Sequence, residues 1–437
     1  MSDQRKTTST IQLLVAACAA FATYFCMYAF RKPFTAGVYE GETYLGLDFK
    51  TVVVFSQLVG YVISKFIGVK LISETPRNRR VLVLLGLIAV AQLGLIAFAF
   101  VPPTFKPLAM LVNGLPLGMV FGLVLSYLEG RKCTEALNAA LCASFIVSSG
   151  VVKSLGQTLT TVYGVSEYQM PMLIGFMFTI PIGISMFVLD RVPDPDADDV
   201  ELRSTRSTMD RKQRRDFWWR YWPGLAAFLI VYVLLTVVRT LRDDFGVEIW
   251  QALGVEEKPK VFALSETWVA VITTAMAALT FMIRNNLAAI KITVGVLAVA
   301  FLLNIGLSLT ATSQLLTPLQ FMILTGVGLY VPYVAFHTTL FERVVASARM
   351  PGNLVFLMYL ADSLGYLVYA VTLLIVNTQL NGEQVLTVFT ANLLLSGVVS
   401  VGLMVLAVFY FQRQWHSEPA TFTATPDLPE ELQSQVP

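Results

Sequence analysis

The sequence predicts an all-α polytopic membrane protein with twelve transmembrane helices, and two observations lead to that prediction. Of its 437 residues, 56% are hydrophobic and only 14% are charged, against about 25% charged in a soluble domain. Twelve stretches are apolar over the roughly 20 residues that a helix needs to cross the hydrocarbon core. These stretches must be helices, because an open sheet edge in lipid leaves its backbone groups unpaired. A water-soluble globule is therefore excluded.

The predicted spans follow one another through the chain with one long polar interruption. They cover residues 11–38, 51–72, 81–101, 107–128, 136–163, 169–189, 221–249, 261–283, 290–312, 317–341, 352–377 and 385–411. Glycine and proline inside them, such as Gly114, Pro116 and Pro332, are interpreted as close packing and kinks.

The charged and metal-ligating residues exclude several classes of function. A net charge of +2 gives no field that would attract nucleic acid, so we expect no nucleic-acid partner. Two histidines and four cysteines, with no CxxC or HExxH spacing, predict no metal site and no cofactor. We expect no enzyme, since no nucleophile has an adjacent base; Ser148 and Ser149 are interpreted as a packing site.

The basic residues predict the orientation. If the amino terminus is cytoplasmic, nearly all arginines and lysines outside the spans fall in cytoplasmic segments, and the opposite loops hold only Lys50, Lys106, Lys258 and Lys260. The positive-inside rule then places both termini in the cytoplasm. We expect an integral protein of the bacterial cytoplasmic (inner) membrane.

The polar interruption predicts the domain organisation. Residues 190–220 are acidic and then basic, and they divide the spans six and six. We predict an N-terminal bundle over 1–189, a cytoplasmic linker over 190–220, a C-terminal bundle over 221–411 and a disordered cytoplasmic tail over 412–437.

The two halves repeat each other. Three motifs recur in corresponding spans at offsets of 208 or 209 residues, which favours duplication: Tyr24, Tyr28 and Arg31 return as Tyr232, Thr236 and Arg239; Ser56-Gln57 as Ser265-Glu266; Lys153-Ser154-Leu155-Gly156 as Asp362-Ser363-Leu364-Gly365. Two pseudo-symmetric six-helix bundles related by an axis along the membrane normal form the major facilitator fold, whose substrate binds near the midplane between the halves.

Ionisable side chains within the spans mark the candidate site, since each costs about 2.5–3.5 kcal/mol or more unless it faces a cavity or a partner. Equivalent residues of two halves face each other across the axis, so Arg31 and Arg239 are predicted to bind a dianion between them. The alternative is that each arginine is paired with a carboxylate or reaches the membrane interface, as is expected for Arg242.

Helical spacing predicts further contacts. Tyr24 and Tyr28 share a stripe with Arg31, and Tyr61 shares one with Lys65. Depth along the helices at about 1.5 Å per residue predicts three sets of ion pairs, each of which is either a switch or a static contact: Lys32 with Asp244 and Glu266, Lys65 with Asp362, and Lys153 with Glu266.

Several of these motifs together resemble a known family. Tyr24-x-x-x-Tyr28-x-x-Arg31-Lys32-x-Phe34 and Tyr61-x-x-Ser64-Lys65-Phe66 are followed by Arg239 with Asp244 five residues later, Glu266, Tyr330-Val331-Pro332 and Gly365-Tyr366. This set is similar to the organophosphate:phosphate antiporters, the glycerol-3-phosphate and hexose-phosphate transporters. The layout matches over all twelve spans, and only these short motifs are specific.

The resemblance implies roles for the matching residues. Arg31 and Arg239 would bind the phosphate, Lys32 would exchange salt bridges with Asp244 and Glu266, and the pocket would be lined by Tyr24, Tyr28, Tyr61, Lys65, Tyr330 and Tyr366. The family's substrate-contacting histidine has no counterpart, because residues 148–153 read Ser-Ser-Gly-Val-Val-Lys. Lys153, a further candidate substrate-binding residue, and Asp362, a further candidate for the salt-bridge switch, depart from the family pattern. His337 is interpreted as a packed or interfacial histidine.

We therefore expect a secondary transporter that moves a small organic anion, in first place an organophosphate, by alternating access. Exchange for inorganic phosphate is what the resemblance implies. The expected partners are that anion, inorganic phosphate and the lipid bilayer, and the protein is expected to be a monomer. Two alternatives stay open: a non-transporting receptor for such an anion, and a proton-coupled symporter of a non-phosphorylated organic anion.

Overall fold

The structure of the protein is a computed structural model. It describes residues 2–128, 134–192, 211–255, 258–281, 283, 286–311, 313, 315–347, 354–375 and 382–417.

Twelve long helices carry the fold of the described residues. They are α1 (Ser2–Arg31), α2 (Phe49–Glu74), α3 (Arg80–Phe100), α4 (Lys106–Leu128), α5 (Thr134–Thr161), α6 (Met170–Asp190), α7 (Arg211–Asp244), α8 (Lys260–Phe281), α9 (Asn286–Thr310), α10 (Pro318–Ala335), α11 (Leu354–Ile375) and α12 (Gly382–Ser417). Two strands, β1 (Thr43–Tyr44) and β2 (Leu47–Asp48), form an antiparallel hairpin before α2.

The helices have the length and composition of membrane spans. Eleven described segments are long and apolar enough to cross a bilayer, and the described part of α11 contributes the shorter apolar stretch Leu360–Ile375. Large apolar side chains such as Leu82, Leu302 and Ile180 point outward and are 72%, 56% and 73% exposed. Such a surface needs lipid around it. The predicted all-α polytopic fold is confirmed.

Several boundaries differ from the predicted ones. Because Pro33 has no backbone N–H to continue the helix, α1 ends at Arg31 and a 3-10 turn follows over Pro33–Ala36. The run predicted over 221–249 breaks at Phe245, after which a short helix covers Gly246–Ala252.

The predicted linker and tail are also partly helical. Helix α7 starts at Arg211, within the predicted linker, and α12 continues to Ser417, within the predicted tail. Residues 193–210 of the linker and 418–437 of the tail lie outside the described residues.

The halves meet along two pairs of helices. Helix α5 packs along α8, and α2 packs along α11. Under the sequence repeat α2 corresponds to α8 and α5 to α11, so these two contacts are equivalent to each other. The core between the halves is therefore built around the pseudo-two-fold axis that the repeat predicts.

Glycine permits a close approach of α2 and α4. A Cβ atom on Gly114 would lie 2.1 Å from the carbonyl oxygen of Gln57, and one on Gly60 would lie 2.3 Å from that of Leu111. The two backbones are in direct contact, which only glycine allows. This contact fixes the position of α2, the helix that carries Tyr61 and Lys65.

Candidate functional site

A cavity lies between the two halves. Its free volume of about 60 Å³ is room for a few water molecules, since one water needs about 10–15 Å³ by this measure. Both halves contribute to the lining, which consists of Tyr24, Tyr28, Arg31, Tyr61, Lys65, Gly118, Phe121, Leu125, Cys142, Phe145, Arg239, Tyr333, His337, Met358, Asp362 and Tyr366.

The end of α1 is held in place by side-chain amides. The Nε2 atom of Gln57 donates to the carbonyl oxygen of Arg31 at 2.7 Å, and the Nδ2 atom of Asn113 donates to that of Phe30 at 3.0 Å. Gln57 also donates to Oδ1 of Asn113 at 2.7 Å. These bonds satisfy carbonyls that a helix end leaves unpaired. They fix the backbone from which the Arg31 side chain enters the cavity.

The two arginines lie against aromatic rings. The guanidinium of Arg31 is 4.0 Å from the ring centroid of Tyr61, and that of Arg239 is 4.2 Å from the centroid of Tyr333. Arg239 also donates from Nη2 to the Tyr366 hydroxyl at 3.4 Å. Both side chains are buried, with exposures of 6% and 4%.

Neither arginine is neutralised by a carboxylate among the described residues. The buried ion pairs there involve Lys32, Lys50, Lys65, Lys153 and Arg242 instead. The Nε atom of Arg239 is buried without a hydrogen-bond partner in the described part of the chain. The alternative interpretation, in which each arginine is paired or reaches the membrane interface, does not describe this structure.

Two tyrosines connect the arginines. The rings of Tyr61 and Tyr366 are 5.3 Å apart in an edge-to-face arrangement; Arg31 lies over the first ring and Arg239 donates to the hydroxyl of the second. Tyr24 and Tyr28 also form an edge-to-face pair, with ring centroids 5.7 Å apart. The predicted stripe on α1 therefore faces the cavity as a unit.

Lys65 and Asp362 form the predicted ion pair. The Nζ atom of Lys65 is 2.6 Å from Oδ2 of Asp362, and the Tyr232 hydroxyl donates to Oδ1. His337 lies 3.8 Å from the same Oδ1 atom. His337 is buried against the Tyr333 ring in the cavity wall, so of its two interpretations the packed histidine is the correct one.

The charges of the cavity wall do not balance. In the described lining the cations are Arg31, Arg239 and Lys65, and the one anion is Asp362. With neutral His337, two positive charges remain without a counter-charge in the wall, and buried charge is costly unless it is paired.

A second cluster of charges lies next to the cavity. Asp243 is 2.7 Å from Nζ of Lys32 and 2.6 Å from Nζ of Lys153, and Lys32 also donates to Asp244. The Tyr369 hydroxyl donates to Asp244 at 2.9 Å. We call these four charged residues the Asp243 cluster. It links α5 and the residue that follows α1 in the first half to α7 of the second.

The Asp243 cluster corrects two predicted pairings. Lys153 pairs with Asp243 instead of Glu266, and it is absent from the cavity wall described above. Lys32 pairs with both aspartates, whereas Glu266 is 2.8 Å from Nη2 of Arg242.

The expectation that Arg242 reaches the interface is also wrong. Its guanidinium is buried, and it also donates to the Met322 carbonyl oxygen at 2.7 Å. Glu266 therefore stabilises the end of α7 from α8, much as Gln57, its counterpart in the repeat, stabilises the end of α1 from α2.

Another ion pair between the halves, which we call the Lys50 tie, involves a residue predicted to lie in a loop. The Nζ atom of Lys50 is 2.5 Å from Oε1 of Glu248 and 3.0 Å from the Thr35 carbonyl oxygen. Lys50 is only 1% exposed. Burial raises the pKa of Glu248 in spite of the neighbouring ammonium group. The short helix after α7 is thereby attached to the start of α2.

The cavity and the Asp243 cluster are adjacent along the same helices. Arg31 at the end of α1 precedes Lys32, and Arg239 precedes Asp243 by one turn on α7. On α5, Phe145 precedes Lys153 by about two turns. The Asp243 cluster and the Lys50 tie therefore lie on the side of the cavity toward the loop between α1 and α2, and the halves are joined there.

Sequence reasoning missed several residues of the site. Asp243 could have been found from the sequence, since adjacent carboxylates at 243 and 244 point about 100° apart on a helix and can reach different partners. Tyr330, which was predicted to line the pocket, is absent from the described lining, whereas Tyr333, three residues later, belongs to it. The guanidinium of Arg239 is 4.2 Å from the ring centroid of Tyr333 and 5.7 Å from that of Tyr330. Tyr369 follows Tyr366 at the same spacing.

The comparisons with known proteins agree with this architecture. The chain matches the family described as a family of unknown function (DUF5690) over residues 33–414. A comparison with curated proteins finds no match.

Similar solved structures are transporters. The human organic anion transporter MFSD10 (TETRAN) is 15% identical with a TM-score of 0.57, over 89% of this chain and 99% of that one. The nucleoside transporter NupG is 14% identical with a TM-score of 0.58, over 92% and 99%. A D-xylose–proton symporter is 13% identical with a TM-score of 0.58, over 93% and 97%. The chain therefore belongs to the DUF5690 family, and it has the major facilitator fold.

Proposed function

We propose that the protein is a secondary transporter that binds a small organic dianion, in first place an organophosphate, between Arg31 and Arg239. The observation that carries the proposal is the buried pair of guanidinium groups, one from each half, that line one cavity with no carboxylate partner among the described residues. Lys32, Asp244 and Glu266 would then be part of the machinery that opens and closes the path to this site.

A dianion fits the charge and the geometry of these groups. Two positive charges are left over in the cavity wall, and a phosphate monoester carries nearly two negative ones. Guanidinium groups bind phosphate oxygens through forked hydrogen bonds. The hydroxyls of Tyr24, Tyr28 and Tyr61 on the same wall are further donors.

The rest of the wall favours an apolar organic group. Phe121, Leu125, Phe145 and Met358 face the cavity, and its described lining contains no serine, threonine, asparagine or glutamine. We therefore expect a compact phosphorylated or carboxylated molecule with an aromatic or aliphatic part.

Transport would proceed by rocking of the halves around this site. With the cytoplasmic orientation that the basic residues favour, the Asp243 cluster closes the outer side of the cavity. Binding of a dianion removes the repulsion between the arginines, and this stabilises states in which the halves lie close around it. Exchange for inorganic phosphate would complete the cycle.

A binding experiment tests the proposal. Purified protein is heated with inorganic phosphate, phenyl phosphate, glycerol 3-phosphate, glucose 6-phosphate or benzoate, and its melting temperature is recorded. A ligand that binds the folded state stabilises it by about 2.7 kcal/mol at 100 times its Kd. We expect the largest shift with phenyl phosphate, and none in Arg31→Lys or Arg239→Lys, because an ammonium lacks the planar fork.

The matched control is Arg242→Lys. Arg242 is buried on the same helix as Arg239, but its guanidinium bonds to Glu266 and Met322 outside the described lining of the cavity. It should keep the ligand-induced shift. Equal shifts in Arg31→Lys and the unmodified protein would refute the proposal.

A further inference from the structure

One carboxylate in the cavity wall is shared by side chains from three other segments. Asp362 of α11 accepts from Lys65 of α2 at 2.6 Å and from the Tyr232 hydroxyl of α7. The Nε2 atom of His337 is 3.8 Å from the same carboxylate and 3.4 Å from the Tyr232 oxygen. All of these groups are at or next to the proposed anion site.

The hydrogen bonds of His337 assign its tautomer. Its Nδ1 atom is 3.0 Å from the Tyr333 carbonyl oxygen, and a carbonyl oxygen only accepts, so Nδ1 carries the hydrogen. In the neutral ring Nε2 then holds a free lone pair. That lone pair faces Asp362 and Tyr232, and it is the place where a proton can be added.

The backbone around His337 is unusual. Residues Phe336–Leu340 form a π-helical turn between α10 and the following helix Phe341–Ser347. Such turns occur mostly as single insertions in helices and often at functional sites. Pro332 lies one turn earlier and removes a backbone donor. The ring is therefore carried by an irregular segment and not by a regular helix surface.

The groups around His337 set the balance between its two charge states. Lys65 and Arg239 disfavour an added proton, and Asp362 favours it. The other titratable groups of the cavity wall are the phenols Tyr24, Tyr28, Tyr61, Tyr333 and Tyr366 and the thiol Cys142, and Tyr232 adds its hydroxyl from α7. With two uncompensated cations in the empty cavity, the neutral ring is favoured. A bound dianion cancels that excess and reverses the preference.

We propose that His337 is the proton-coupling site of this transporter: it takes up a proton at Nε2 when a dianion binds between Arg31 and Arg239. The inference rests on the proposed function. By linkage, the protonated ring strengthens anion binding by the same factor by which the anion strengthens proton binding. The protonated ring also gives Asp362 a second cation beside Lys65.

The other buried carboxylates are poorly placed for this role. Asp243, Asp244, Glu248 and Glu266 each have a cation or a hydroxyl partner outside the cavity wall. Protonation of one of these carboxylates would neutralise it and leave the charge of its lysine or arginine partner unbalanced. His337 can gain a proton while every existing ion pair is kept.

Calorimetry on the full-length protein tests the inference. Sulfate is titrated into protein near neutral pH in buffers with different ionisation enthalpies, which gives the number of protons taken up per bound anion. Sulfate stays doubly charged in this range, so the protons come to the protein. Inorganic phosphate is the second probe, and its own ionisation contributes equally to the unmodified protein and the variants.

The variants are His337→Asn, whose amide can keep the bond to the Tyr333 carbonyl oxygen, and His337→Gln as a second form in case the first does not fold. His416→Asn, at the one other histidine of the sequence, is the matched control. We expect anion-linked proton uptake in the unmodified protein and in the control, and its loss in the His337 variants.

The outcomes separate the two proposals. Anion binding without proton uptake in the unmodified protein, or uptake that persists in the His337 variants, overturns the proton site and leaves the proposed function standing. If neither phosphate nor sulfate nor an organic phosphate binds, the proposed function fails and the proton site fails with it.

Discussion

At the scale of single residues, Asp243 makes more polar contacts between the halves than any other described carboxylate. It contacts Lys32, the residue that follows α1, and Lys153 of α5, and it accepts from the Ser149 hydroxyl. Removal of one member of a buried ion pair is strongly destabilising, because the remaining charge stays buried without its partner. Among the described carboxylates, Lys153 is paired with Asp243 alone, and Lys32 is shared between Asp243 and Asp244.

We expect Asp243→Asn to destabilise the protein by about 3–5 kcal/mol, the range for breaking a buried pair. Thermal unfolding in detergent measures the effect. The control is Asp216→Asn, because the Asp216 side chain is 44% exposed and lies 3.8 Å from Arg215, and an exposed pair contributes about 0–1 kcal/mol. Equal melting temperatures for the two variants would show that the Asp243 cluster does not join the halves.

An ion pair could be predicted from the sequence where only one carboxylate lay at the same membrane depth as the lysine. Lys65 and Asp362 are such a case, and their contact is confirmed. Depth alone predicts Glu266 as the partner of Lys153, whereas the structure pairs Lys153 with Asp243, which faces a different direction from Asp244 on α7. The direction of a side chain around its helix decides the partner when two carboxylates share a depth.

At the scale of helices, the contact between α2 and α4 positions half of the cavity wall. Gly114 and Gly60 bring the two backbones together, and α2 presents Tyr61 and Lys65 from this fixed position. A side chain at either glycine would push α2 away from α4. Tyr61 would then be displaced from Arg31.

We expect Gly114→Ala to cost about 1–3 kcal/mol, as overpacking of a buried contact does, and to weaken phosphate binding together with stability. Gly86→Ala on α3 is the control, since a Cβ atom there meets nothing within 4 Å. In a helix interior that exchange is stabilising by about 0.5–1 kcal/mol. The melting temperatures of both variants, with and without phosphate, test these expectations. An unchanged melting temperature and an unchanged phosphate-induced shift in Gly114→Ala would contradict the close contact.

Helix identity was predictable and helix ends were not. Every predicted span overlaps a helix, because apolar length is a strong signal in a membrane protein. The ends depend on polar detail: α7 starts at Arg211 in a charged segment, and a turn at Phe245 separates it from Gly246–Ala252. Hydropathy does not distinguish such a charged helical extension from a loop.

At the scale of the whole molecule, α5 and α8 close one end of the interface between the halves. The Ser154 hydroxyl donates to the Pro259 carbonyl oxygen at 2.5 Å and accepts from the Ala263 backbone N–H at 3.0 Å. These residues lie on opposite halves. In an alternating-access cycle this contact must separate.

A cysteine pair at Ser154 and Ala263, in a background without the four native cysteines, should cross-link spontaneously or with a short reagent in the empty protein. The cross-link should stop exchange across the membrane while phosphate still binds, and reduction should restore exchange. Each single cysteine is the control. Full exchange by the cross-linked protein would show that this end does not open.

The pseudo-two-fold arrangement could be predicted from the sequence, because three motifs recur at nearly one offset and the structure pairs the corresponding helices. The position of the contacts on the side toward the loop between α1 and α2 could not be predicted from the sequence. It depends on Lys50, Glu248 and Asp243, whose contacts cross between halves and leave no periodic signal in the chain.

Counterflow in proteoliposomes tests the central claim most directly. Vesicles loaded with inorganic phosphate or phenyl phosphate are diluted into labelled phosphate, and uptake is followed in the unmodified protein, Arg31→Lys, Arg239→Lys and Arg242→Lys. We expect saturable exchange in the unmodified protein and the Arg242 variant, and none in the other two. Saturable binding without exchange would assign a receptor, and exchange by Arg31→Lys at the unmodified rate would contradict the claim that the two guanidinium groups bind the transported anion.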